Sequence, residues 1–178
     1  MISVFLKEQT KQQHDETEAN LQSQKIFDRS YTLDDYKNLL IHNYKLISRY
    51  EPQIHEKLKN YPELKLDSRT KIDALKTDLN KLNILTESET PAHNLENEAE
   101  AFGALYVMEG STLGGNVIAK QLKKNPEFEN VDFNYFGVYG ENTGSYWQEF
   151  KSIIDEKISE EQYQDCVKGA KKAYQLLS

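Results

Sequence analysis

His14 is the residue of this chain best suited to chemistry, and its neighbours limit what that chemistry could be. An imidazole can give one nitrogen to a metal while the other donates its N–H to an orienting carboxylate. Glu18 follows one helical turn later, within reach of that second nitrogen, and Thr10 one turn earlier keeps the same face small and polar. The plainer alternative is a boundary histidine beside a solvated glutamate. A second feature is the run Gly110-Ser111-Thr112-Leu113-Gly114-Gly115 inside a long helical pattern. Each glycine in a helix interior costs about 1 kcal/mol relative to alanine. Three glycines in these six residues predict a bend or a break, unless the missing Cβ atoms serve a close approach. The approaching body is either a flat ligand or another helix.

Other chemistries find little support. No His-Glu-x-x-His, Glu-x-x-His or Cys/His cluster occurs, which argues against zinc and di-iron carboxylate sites. No serine sits in a nucleophile elbow. The glycine run lacks the Lys-Ser/Thr ending and the preceding strand of a phosphate loop. His42, His55 and His93 carry no second feature and are assigned no role. Cys166 falls on the apolar face of the last helix and reads as core. As the single cysteine it excludes an internal disulfide and suits a cytoplasmic location.

The elements that must position these residues read as helices joined by short polar segments, with no repeat and no linker. Ser3 can cap a first helix to about Leu21, whose inward stripe is Leu6, Thr10, His14, Thr17 and Leu21. Thr32 with Asp35 resembles a capping box opening a helix with Leu33, Tyr36, Leu39, Leu40, Tyr44 and Ile47 inside. Pro52 can start a further short helix, and Asp67 or Ser68 can cap one carrying Ile72, Leu75, Leu79 and Leu82. Thr86 to Asn94 reads as a loop. The longest pattern runs from about Leu95 to Lys124, interrupted at Gly110, Gly114 and Gly115, and Asn125-Pro126 ends it. After an aromatic, irregular stretch over 127–145 come a helix with Trp147 and Phe150 and a last helix opened by Ser159 and Gln162.

The 178 residues fit one domain over 1–178, and 29% charged residues with 4 Pro favour amphipathic helices. A net charge of -7, with Arg29, Arg49 and Arg69 the only arginines, argues against nucleic acid as a partner. Lys7 and Lys11 still form a local basic spot able to meet a small anion. No stretch approaches the roughly 18 consecutive apolar residues of a membrane span. The N-terminus turns polar after Leu6, without the apolar run of a secretory signal.

Taken together, these segments resemble the biliverdin-producing heme oxygenases, the bacterial type in particular. Leu6-Lys7-Glu8-Gln9-Thr10-Lys11-Gln12-Gln13-His14 with Glu18 is similar to the proximal-helix signature L-K-E-x-T-x-x-x-H-x-x-x-E. Gly103 to Gly115 resembles the distal-helix signature, and Tyr139-Gly140 with Gly144, Trp147 and Phe150 makes a third match in family order. The likeness covers essentially the whole chain.

The resemblance implies an all-α fold with a glycine-kinked distal helix, and heme as both cofactor and substrate. His14 would ligate the iron and Glu18 would orient it. Gly110, Gly114 and Gly115 would let the distal helix lie against the ring. Lys7 and Tyr106 match positions that contact heme propionates; Thr10 and Lys11 belong to the same face, and Lys151 is a substitute basic contact. Ser111 stands where mammalian-type members carry aspartate, so proton delivery would rest on ordered water near the distal backbone, helped by the Ser111 hydroxyl. The implied reaction uses dioxygen and yields biliverdin, carbon monoxide and ferrous iron, with cleavage at the alpha position. No flavin or nicotinamide fingerprint is present, so an external electron donor is implied: a ferredoxin, a flavodoxin or a reductase. A monomer or weak dimer is expected. Two other readings stay open: a carrier or sensor that binds heme without turnover, and a helical protein for other ligands, such as the thiamin-degrading enzymes. The latter use a cysteine nucleophile, for which Cys166 is poorly placed.

Overall fold

The computed structural model describes residues 1–86 and 93–178, and every regular element among them is helical. The order is α1 (Ile2–Gln9), α2 (Lys11–Asn20), α3 (Gln24–Phe27), α4 (Leu33–Lys57), α5 (Ile72–Lys81), α6 (Glu98–Leu122), α7 (Thr143–Lys157) and α8 (Tyr163–Leu177), with short 3-10 turns between several of them. The loop expected over Thr86 to Asn94 lies largely outside the described residues. No helix among those described is long and apolar enough to cross a membrane.

The helix α6 is the axis of the fold. Its first half, Ala99 to Glu109, is buried on every side, as expected of a helix surrounded by neighbours. Helix α8 makes the most extensive contact with it, and α4 and α7 pack on its other flanks. Two glycines make the α6–α8 crossing possible. A Cβ on Gly103 would lie 1.8 Å from the Cys166 carbonyl oxygen, and one on Gly169 would lie 1.9 Å from that of Glu100. The two backbones touch, and no side chain longer than hydrogen fits between them.

Several expectations change here. The first helix divides at Thr10 (φ -113, ψ 7). Ser3 lies inside α1 and is no cap: its N–H and hydroxyl donate to Asp155 at 2.8 and 2.7 Å. Pro52 sits within α4 and starts nothing, because α4 continues to Lys57. Helix α5 begins at Ile72, after a 3-10 turn over Leu66–Arg69, so neither Asp67 nor Ser68 caps it. Helix α6 passes unbroken through Gly110, Gly114 and Gly115, and the expected interruption is absent; a kink is not shown by this continuous helix. The boxes at Thr32–Asp35 and Ser159–Gln162 both form.

A buried ionic cluster holds the rear of α6 at the start of the glycine run. Glu109, fully buried, accepts hydrogen bonds from the Arg69 guanidinium and the Lys71 ammonium, each 1% exposed. Tyr139 donates to the same carboxylate at 2.8 Å and accepts from Lys71 at 2.8 Å. Arg69 further donates to the Leu64 carbonyl at 2.8 Å and to Glu149 at 3.1 Å. Charges this deep are tolerable only with partners on every side, and this cluster has them.

Candidate heme site

One face of α6 is left bare where the other faces are packed. Gly110, Leu113, Gly114 and Val117 follow the spacing of one helix face. Leu113 is 39% and Val117 44% exposed. Among the described residues, a Cβ on Gly114 would meet nothing within 4 Å. Exposed aliphatic side chains flanking an uncovered backbone make a surface suited to a flat apolar ligand.

Gly110 and Gly115 are different. A Cβ at Gly110 would meet Cη2 of Trp147 at 3.4 Å, and one at Gly115 would meet Cδ1 of Phe136 at 2.6 Å. Gly115 is buried, turned from the bare face, and leaves room for Phe136. The missing Cβ of Gly115 thus serves a packing contact with Phe136.

His14 lies on α2 with its side chain 54% exposed, although the stripe it belongs to was expected to face inward. Thr10 and Thr17 of that stripe are buried as expected. Nε2 of His14 is 3.6 Å from Glu18, and Nδ1 is 3.5 Å from Asp15, a neighbour the sequence reading did not single out. The ligand atoms of the three residues lie within 4.8 Å of one another. The imidazole therefore stands between two carboxylates at the surface.

Tyr174 on α8 lies against His14, and Tyr106 lies on α6. The His14 ring meets the Tyr174 ring edge-on at 6.4 Å. Burial, with Tyr106 as an electrostatic neighbour, pushes the Tyr174 phenol up to about 12, while a hydrogen bond with Thr10 opposes the rise. Burial likewise raises the pKa of Tyr106, whose ring lies 5.2 Å from Trp147. Trp147 in turn rests on Gly110. Aromatic contacts thus join α2 to α8 through His14 and Tyr174, and α6 to α7 through Tyr106 and Trp147. Neither Tyr174 nor the bridging use of Trp147 was foreseen, though both are aromatic residues on the packed helices α8 and α7.

The remaining expected residues are spread around these contacts. Lys7 is exposed on α1. Lys11 is exposed and paired with Asp15, which lies one turn on. The Lys151 ammonium sits 5.6 Å over the Trp147 ring. The Thr10 hydroxyl is buried and donates to the Leu6 carbonyl at 2.7 Å, so it faces the protein. The Ser111 hydroxyl donates to the Met108 carbonyl at 2.8 Å, which leaves its oxygen free to accept. Cys166 is buried, and burial pushes its thiol up to about 12, which makes it a poor nucleophile.

The fold is all-helical, with an exposed imidazole on α2 and a bare apolar face on α6. The family model described as heme oxygenase matches residues 1–178, and the chain belongs to the heme oxygenase family. It is 29% identical over 138 residues to the heme oxygenase of Xanthomonas campestris pv. campestris (strain 8004), covering 77% of this chain and 82% of that one. Its fold matches the NO- and CO-bound heme oxygenase of Neisseria meningitidis with a TM-score of 0.76 at 20% identity, over 99% of this chain and 88% of that chain.

Proposed function

We propose that this chain cleaves heme oxidatively to biliverdin, carbon monoxide and ferrous iron, with dioxygen and electrons from a ferredoxin, a flavodoxin or a reductase. The observation that carries the reading is the uncovered backbone at Gly114 between exposed Leu113 and Val117, in a chain matched along its whole length by the heme oxygenase family model. Heme supplies the oxygen-activating iron and is itself the substrate; the protein's part is to hold and orient it.

His14 is the iron ligand in this reading: one ring nitrogen leaves its carboxylate for the iron, and the other stays beside Glu18 or Asp15, which sets the ring's orientation and basicity. Gly114, with Leu113 and Val117, gives the distal face contact area without bulk. Gly110 keeps that face level with the indole of Trp147. Lys7, Lys11 and Lys151 are the cations available to propionates, and Tyr106 adds a phenol. Ser111 accepts a hydrogen bond from water and so helps hold a proton source near the distal backbone. Thr10 acts through Tyr174. The chain works as a single cytoplasmic domain, monomeric or weakly dimeric.

A second reading, a carrier or sensor without turnover, draws on two contacts: Ser111 already donates to Met108, and Lys11 already pairs with Asp15. Ascorbate or a ferredoxin system added to the heme complex separates the two. Loss of the Soret band with growth of a biliverdin band supports cleavage. A stable Soret band under reduction supports the carrier and overturns the enzyme.

A further inference from the structure

We infer that Trp147 is a specificity-determining residue: it ends the ring-binding face at Gly110 and fixes how the heme is rotated within its own plane. The inference rests on the heme-cleaving reading above.

The glycine run does not present one uniform bare surface. Gly114 has open space beyond it, whereas the six-membered ring of the Trp147 indole covers Gly110, with Cη2 and Cζ3 at 3.4 and 3.6 Å from the place of a Cβ. A planar ligand on the Leu113–Gly114–Val117 face therefore meets a solid edge one turn toward the start of the helix. The edge is rigidly mounted. The indole stacks on Phe150 at 6.0 Å with 26° between the planes, and Phe150 is fully buried. Tyr106, 9% exposed, supports it at 5.2 Å from another side.

A porphyrin is nearly square, so four in-plane rotations place its iron equally well over one ligand. What separates them is contact at the periphery. A braced indole offers a steric boundary, and shape mismatch of one methylene against such a boundary is worth about tenfold or more in selectivity. Lys151 reinforces the assignment: its ammonium lies 5.6 Å from the Trp147 ring, so the indole also stations a cation at this end of the face. One residue thereby sets both the steric edge and the position of a propionate partner.

The test compares the unmodified chain with Trp147→Phe and Trp147→Ala. Three readouts are needed: Soret titration for binding, proton NMR of the heme methyls in the cyanide-ligated ferric complex for seating without turnover, and chromatography of the biliverdin isomers. One dominant methyl set and one isomer are expected for the unmodified chain. Trp147→Ala should lower the ratio of the major to the next seating by at least about tenfold, with the isomers following. Trp147→Phe, which keeps the contacts with Tyr106 and Phe150 but withdraws from Gly110, should fold as the parent does and fall between the two. Heme bound with the parent's methyl pattern and isomer in both variants overturns the inference and leaves the heme-cleaving reading intact. An unmodified chain that binds no heme overturns that reading instead.

Discussion

Gly114→Leu should strengthen the empty fold and weaken the complex, a combination few other substitutions can produce. Gly114 is exposed and helical, and among the described residues nothing lies within 4 Å of the place of its Cβ. Replacing it with a good helix former gains about 0.8 kcal/mol in propensity with no clash to offset it. For a domain of this size that raises the melting temperature by roughly 2–3 °C. The same side chain occupies the place of the ring. A planar ligand displaced by one side-chain thickness loses on the order of 15 carbon contacts at about 0.15 kcal/mol each, or about 2 kcal/mol. That is roughly a 30-fold rise in Kd, at about 1.4 kcal/mol per factor of ten. Thermal unfolding of the heme-free protein and Soret titration measure the two effects. A melting temperature below that of the parent would show Gly114 packed, and an unchanged Kd would show that the ring lies elsewhere; either refutes the reasoning.

Gly103→Ala forces a methyl to within 1.8 Å of the Cys166 carbonyl, where only backbone movement can relieve it. The expected loss is about 3 kcal/mol or more, read as a fall of several degrees or outright failure to fold, and a melting temperature equal to the parent's contradicts the backbone contact. With the Cys166 thiol pushed up to about 12 by burial, only roughly 10⁻⁴ of it is ionised at pH 8, so thiol reagents should label the folded chain at least a hundredfold more slowly than the unfolded one. Because the folded value exceeds the unfolded one, this group contributes stability below pH 9 that is lost as pH rises toward about 12, and Cys166→Ala should remove that slope. Rapid labelling of native protein at pH 8 would contradict both statements.

The sequence is most informative where one periodicity governs. The capping boxes at Thr32 and Ser159 and the apolar face of α4 follow from local rules and form as read. Where two causes compete, local rules err. Proline normally closes a helix, yet Pro52 is carried inside α4, whose face buries Leu46, Ile47, Tyr50 and Ile54 on both sides of it. The glycine run was read as one device, and its members do three jobs: Gly110 seats an indole, Gly114 stays bare and Gly115 admits Phe136. Nothing local distinguishes them, because their roles depend on residues 21 to 37 positions away in sequence. Gly103 and Gly169 are individually ordinary, and their pairing exists only in three dimensions. The same holds for Arg69, Lys71 and Glu109: each is an unremarkable charge in sequence, and their mutual burial arises from the meeting of a 3-10 turn with α6.

The claim that everything else serves is that the His14 imidazole holds the iron. Heme titration of His14→Ala beside the unmodified chain, each followed by reduction in the presence of dioxygen, tests it most directly. The account predicts a shifted, weakened Soret band and no biliverdin from the variant, with free imidazole restoring the parent's spectrum. A variant that binds heme with the parent's spectrum and still forms biliverdin would contradict it.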